Sequence, residues 1–200
     1  VGMKRYLDDL IAADLTRKMV LLTGPRQVGK TTLCRQLMER HPPAQYLNWD
    51  VAGDRAILQR QTWSPRAALL ALDEIHKMRD WKAWLKGVVD GRPPGQMLLV
   101  TGSARMDTWR QSGDSLAGRY LAFRLHPISV REWCEQQGAS PVEALDRLMV
   151  RGGFPEPCLA ERPEDADRWR RQYFTDLIRE DVVDFARLHE ISTMRLFVEL

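Results

Sequence analysis

The sequence predicts an α/β fold, a parallel sheet flanked by helices and followed by a helical segment, and three observations carry that expectation. Apolar strand-like runs alternate three times with helical periodicities before residue 100, the pattern of βαβ units. The first run, Met19-Val20-Leu21-Leu22, leads into Gly24-Pro25-Arg26-Gln27-Val28-Gly29-Lys30-Thr31. That octet fits the phosphate-binding pattern G-x-x-x-x-G-K-S/T in the required strand, loop, helix order. A later run, Ala67 to Leu72, has no alternation, as suits a central parallel strand buried on both faces, and it ends in Asp73-Glu74.

Taken in order, Tyr6, Leu7, Leu10 and Ile11 recur at helical spacing with Asp8, Asp9 and Asp14 between them, a short amphipathic helix ahead of the first strand. Leu33, Leu37 and Met38 carry a helix onward from the loop lysine until His41-Pro42-Pro43 breaks it, and Gln45 to Trp49 reads as the second strand. Asp54 to Gln61 reads as a helix, Ser64-Pro65 as a break, and the run to Leu72 as the third strand. Trp81, Trp84, Leu85 and Val88 form an i, i+3, i+4, i+7 stripe that predicts a core-facing helix rather than a nucleotide-stacking surface. Gly91 and Pro93-Pro94 end it, and Met97 to Val100 is a fourth strand closing in Thr101-Gly102-Ser103.

The polar stretch from Asp107 to Gly118 reads as a loop or short helix at the functional edge of the sheet. Tyr120 to Leu125 alternates as a further strand, His126-Pro127 ends it, and Ser129 with Glu132 three residues on signals a capped helix to Gln137. Pro141 to Arg151 reads as a helix stopped by Gly152-Gly153-Phe154-Pro155, which marks a boundary. Residues 1–151 would form the nucleotide-binding core and 152–200 a helical extension opening a longer C-terminal region. From Glu164 the chain is helical and charged, with Trp169, Tyr173, Phe174, Leu177, Ile178 and Val182 on the apolar face.

Composition narrows the function classes. The 200 residues are 44% hydrophobic, which suffices for a sizeable core. Thirty basic against 27 acidic residues leave only +3, so no global field steers the chain to nucleic acid or membrane. Cys34, Cys134 and Cys158 are odd in number and widely spaced, which suggests neither a disulfide framework nor a zinc site and fits a reducing cytoplasm. No apolar run approaches twenty residues and no charged-then-apolar leader opens the chain.

The chemistry concentrates at strand ends. In Gly24, Pro25, Arg26, Gln27, Val28, Gly29, Lys30, Thr31 and Thr32, backbone amides can curl around a polyphosphate under the dipole of the following helix. Lys30 would reach the terminal phosphates and Thr31 would ligate magnesium. Asp73 is the expected second magnesium anchor, and Glu74 would orient and deprotonate an attacking water. Without the loop upstream, Asp73-Glu74 would read as an acidic strand end capping the next helix; with it, the catalytic pair is favoured. Ser103, in preference to Thr101, could hydrogen-bond the water or a phosphate oxygen, against simple turn-making. Arg119 could stabilise transition-state charge in its own site or a neighbour's, against a solvated surface arginine. Arg26 and Gln27 sit where loop side chains point away from phosphates. His41, His76, His126 and His189 show no ligand spacing.

The loop, Leu72-Asp73-Glu74-Ile75-His76-Lys77, Trp81 with Leu85-Lys86 and Asp90, Thr101-Gly102-Ser103, Ser115-Leu116-Ala117-Gly118-Arg119, Pro127-Ile128-Ser129 with Glu132, and Gly152-Gly153-Phe154-Pro155 follow in order. This series resembles that of prokaryotic AAA-type ATPases, in particular the subgroup with a C-terminal domain of unassigned function. The resemblance implies a P-loop NTPase fold of the additional-strand class, with the Ser103 strand between the loop strand and the Asp73 strand. It further implies ATP as nucleotide, Ser103 as the sensor residue, and Arg119 as the arginine-finger or sensor candidate. A homo-oligomer is left open through Arg119, and most of the C-terminal domain would lie beyond this chain.

The expected function is magnesium-dependent ATP hydrolysis coupled to conformational change in a cytoplasmic protein without membrane association. Two alternatives stand beside it: a nucleotide-dependent binding switch of slow turnover acting on DNA or a protein partner, and a P-loop small-molecule kinase, which explains Glu74 poorly. Arg168, Arg170, Arg171, Arg179 and Arg187 are interleaved with acidic residues, which favours a solvated helix over a DNA-binding face.

Overall fold

A computed structural model describes residues 3–102 and 116–177. The chain forms two compact units, residues 1–139 and 140–200.

In the first unit α1 (Asp8–Leu15) precedes β1 (Met19–Thr23), and α2 (Lys30–Arg40) begins inside the predicted loop. Then follow β2 (Ala44–Asn48), α3 (Ala52–Arg60), β3 (Leu69–Asp73), a 3-10 turn (Ile75–Lys77), α4 (Trp81–Gly91) and β4 (Met97–Thr101). After the undescribed stretch come β5 (Tyr120–Arg124) and α5 (Val130–Gln137). The five strands form one parallel sheet in the order β2-β3-β4-β1-β5. β4 thus separates the loop strand from the Asp73 strand, as the resemblance implied. Ser103 itself, and the polar stretch from Asp107 to Ser115, lie outside the described residues.

Burial follows from strand position. All five residues of β1 and of β3 are buried, since helices cover both faces of interior parallel strands. The edge strands β2 and β5 are largely half-exposed. Trp81, Leu85, Val88 and Val89 turn the α4 stripe into the core against Leu70, Leu72 and Leu98, and Trp84 meets Trp63 edge-on at 5.9 Å. The tryptophans therefore pack, as their spacing predicted. Because all strands run the same way, the ends of β1, β3 and β4 reach one edge of the sheet, where the loop, Asp73 and Thr101 collect.

The predicted cap on α5 is present: the Ser129 side chain accepts from the Glu132 N–H while Glu132 accepts from the Ser129 N–H. In the second unit α6 (Pro141–Arg151) carries the same device through Ser140 and Glu143. The Gly152–Pro155 break is followed at once by α7 (Pro155–Leu159) and then by α8 (Pro163–Asp176). α7 is not apparent in the sequence, where Pro155 reads as a breaker, yet a proline at the first helical position costs no hydrogen bond. Phe154, Trp169 and Tyr173 stack with centroids 4.7 to 5.2 Å apart. Ile178 and Val182 lie outside the described residues.

Candidate nucleotide site

The loop between β1 and α2 is built by two glycines in backbone conformations that side-chain-bearing residues rarely adopt. Gly24 adopts φ 153°, and a Cβ there would stand 2.5 Å from the Leu125 backbone oxygen, so the chain just beyond β5 presses directly on the loop. Gly29 adopts φ 100° and is the residue before the first helical turn, reversing the chain so that α2 starts at the lysine. Arg26, Gln27 and Thr32 are exposed and Val28 is fully buried, which anchors the loop by one apolar side chain. Lys30 is buried, and its Nζ donates to the carbonyls of Gly24 at 2.9 Å and Pro25 at 2.7 Å. The ammonium is thereby held at the mouth of the loop.

Asp73, buried at the tip of β3, is ringed by donors from four segments. Its Oδ2 accepts from Thr31 Oγ1 at 3.4 Å and from Tyr46 OH at 2.5 Å; its Oδ1 accepts from Thr101 Oγ1 at 2.5 Å and from the Glu74 N–H at 3.0 Å. Thr31 and Asp73, predicted as partners, are thus brought together. Tyr46 and Thr101 are additions. Burial, and then the Asp73 carboxylate, hold the Tyr46 phenol well above its usual range, so it stays a donor. Burial and the same carboxylate push the Cys34 thiol up to about 12.

Glu74 follows in the left-handed region at φ 56°, with its N–H also donating to the Thr101 carbonyl at 3.1 Å. A side-chain-bearing residue there is strained by roughly 1 kcal/mol, and such strain concentrates at functional sites. Its carboxylate stands 3.5 Å from both His76 Nε2 and Lys77 Nζ, and Lys77 also pairs with Asp50 at 2.5 Å. Burial raises the Glu74 pKa, with Lys77 opposing and Asp73 adding to the rise.

Arg119 is placed elsewhere. It precedes β5, whose Tyr120 is level with Met19 at the start of β1, so it sits at the opposite edge of the sheet from the loop. Five residues of strand separate the two edges, about 16 Å. There Arg119 makes a two-pronged pair with Asp90 at the end of α4, Nε to Oδ1 at 2.8 Å and Nη2 to Oδ2 at 3.0 Å. The sequence left open whether Arg119 would act in its own site or a neighbour's, and this geometry holds the side chain away from its own loop. Motif order gave its neighbours in sequence but not the sheet edge.

Sequence reading also missed Arg5. Only 5% exposed, it donates Nε to Glu132 Oε1 at 2.8 Å, Nη1 to the Val28 carbonyl at 3.0 Å and Nη2 to the His126 carbonyl at 2.6 Å. Glu132 is 2% exposed and also accepts from the Tyr6 N–H at 3.0 Å. Burial pushes the Glu132 pKa up, but the hydrogen bonds from Arg5, Ser129 and Tyr6 outweigh it and hold the carboxyl below its usual range. Nothing in the local sequence distinguishes Arg5 from the other basic residues.

Residues 16–134 match an AAA domain family, and residues 142–200 match a domain of unknown function. Uncharacterized proteins of Mycobacterium tuberculosis (strain H37Rv) and Mycobacterium bovis are each 33% identical over 178 residues, or 88% of this chain. The chain spans 39% of the length of these curated relatives. The solved structure of a Walker-type ATPase of Pyrococcus abyssi matches with a TM-score of 0.57 and 12% identity over 93% of this chain and 76% of that one, a likeness of fold. The order of the sheet, the loop at its carboxyl edge and the family match across residues 16–134 agree: the chain belongs to the AAA domain family, with a P-loop NTPase fold followed from residue 142 by a domain of unknown function.

Proposed function

We propose that this chain binds ATP with magnesium and hydrolyses it, coupling turnover to a conformational change. The observation that carries the reading is the approach of Thr31 Oγ1 to Asp73 Oδ2, 3.4 Å apart beneath the loop that holds Lys30. A hydroxyl and a carboxylate are the hard oxygen donors magnesium takes alongside phosphate oxygens. The donor set therefore fits the ion, which when bound would neutralise charge on the phosphates. Lys30, already turned over the loop mouth, is the cation for the terminal phosphates.

Glu74 is the group proposed to orient the attacking water and accept its proton. Its pKa, raised by burial, suits a base better than an ordinary carboxylate would. Ser103, following β4, remains a proposed sensor for the same site. Arg119 is proposed to meet nucleotide only across an interface with a second copy, since Asp90 holds it at the far edge of its own sheet.

One observation favours a slower machine. Glu74 is engaged by Lys77 and His76, so the water-activating group must leave or share those contacts before it works. A nucleotide-dependent switch on a protein or DNA partner is therefore the second reading. Phosphate release from ATP, dependent on magnesium and lost in Lys30→Ala, supports the hydrolase. ATP binding with no release above background supports the switch. Free cysteines at all three positions accord with a cytoplasmic setting, and among the described residues no helix is long and apolar enough to cross a membrane.

A further inference from the structure

We infer that Arg5 is a positioning residue for the nucleotide site, holding the phosphate-binding loop from behind so that the Val28–Gly29 peptide presents its N–H to the phosphates. The inference rests on the reading that the loop binds ATP. It starts from peptide geometry: the unit is planar and trans, so its C=O and N–H point in opposite directions. Arg5 Nη1 captures the Val28 carbonyl at 3.0 Å, and the Gly29 N–H on the same plane is therefore directed away from Arg5. Gly29 needs its positive φ at this point, which leaves the peptide on its amino side free to rotate unless something holds it. A flipped peptide would aim a carbonyl oxygen where an anion must sit.

Three features make Arg5 a brace for the loop rather than a simple staple for the N-terminal segment. A fully donating planar fork reaches acceptors from three separate segments: the loop, the chain leaving β5, and α5 through Glu132. The N-terminal segment already has its own tie to Glu132, through the Tyr6 N–H at 3.0 Å, so anchoring alone does not call for a buried guanidinium. The loop also rests against the same β5 exit at Gly24, with Leu125 N–H donating to the Thr23 carbonyl at 2.8 Å. Arg5 thus closes a rigid wall formed by Leu125, His126 and Val28 behind the concave face. Lysine could not substitute, because a single ammonium cannot satisfy Glu132 and the two carbonyls in one plane.

The test is calorimetric titration of the chain with ATP and magnesium, reading dissociation constant and stoichiometry separately. Wild type is compared with Arg5→Lys, Arg5→Gln and a stability control, Leu58→Ala, which cuts a fully buried side chain of the core cluster outside the loop. Mispositioning raises the dissociation constant at least about tenfold, the scale of one lost charge-assisted hydrogen bond, with stoichiometry retained. A merely structural role lowers the binding fraction and melting temperature without moving the constant. Arg5→Lys or Arg5→Gln binding within twofold of wild type overturns the inference. So does an equal loss in Leu58→Ala, or loss of fold in both Arg5 variants, which would make the residue a structural strut. Wild type failing to bind ATP would instead overturn the reading of the site itself.

Discussion

Thr31 Oγ1 stands 3.4 Å from Asp73 Oδ2, so the head of α2 and the tip of β3 converge on one point although 42 residues separate them in the chain. The carboxylate gathers three further donors there, from Tyr46, Thr101 and its own neighbour's amide. If this is the magnesium anchor, Asp73→Asn keeps the shape and removes the charge. The magnesium-dependent gain in ATP affinity is expected to fall about tenfold or more, equivalent to roughly 1.4 kcal/mol. Titrations with and without magnesium measure it, and an unchanged gain contradicts the assignment.

With Glu74 as the proposed base, the proposed hydrolysis carries a pH dependence. Burial raises its pKa in the folded chain, so the carboxylate is the less favoured form until pH exceeds the ordinary carboxylate range. As the base must be ionised, the acid limb of phosphate release is expected above about pH 4.3, the unperturbed glutamate value. Lys77 opposes the rise, and Lys77→Met is expected to move that limb further up. A pH–rate profile in both proteins decides it; a limb moving down in the variant speaks against Glu74 as the titrating group.

Glu132 sets stability on the acid side. Its folded pKa lies below the ordinary value, so its ionised form stabilises the native state above the unfolded pKa of about 4.3, and that contribution is lost as pH falls through the lower folded value. Removing one member of a pair buried to 5% and 2% leaves an uncompensated charge. Glu132→Ala is therefore expected to cost roughly 3–5 kcal/mol at neutral pH. Urea denaturation gives the number; a loss below about 1 kcal/mol would equate the pair with an exposed one.

Two glycines should respond in opposite directions. Gly24→Ala drives a methyl to 2.5 Å from the Leu125 carbonyl oxygen, a backbone atom that cannot step aside, so the loop must distort and ATP affinity fall. Gly87 lies within α4 with nothing within 4 Å of its Cβ position. Gly87→Ala is expected to stabilise by roughly 0.5–1 kcal/mol without touching nucleotide binding. Thermal melts and ATP titrations of the two variants check both signs.

The features legible in the sequence are those that repeat or that a local rule governs. Unbroken apolar runs mark β1, β3 and β4 because interior parallel strands are buried on both faces. The capping box marks the start of α5 because its reciprocal bonds span three residues. The loop octet, with Asp73 and Glu74, locates most of the candidate site for the same reason. What the sequence hides is long-range. Arg5 meets Glu132 across 127 residues, Tyr46 meets Asp73 across strands, and no spacing rule connects either pair. Arg119 shows the converse hazard: its motif points to the nucleotide, while the β5 register puts it at the other end of the sheet, on Asp90.

Release of phosphate from ATP by Glu74→Gln, measured beside its ATP affinity, tests the central claim most directly. The glutamine retains the shape of the side chain and loses the ability to take a proton. With Glu74 as the water-activating base, ATP binds the variant within about threefold of wild type while phosphate release falls by about a hundredfold or more. Release at the wild-type rate, with binding intact, would contradict the account and move the base to another residue.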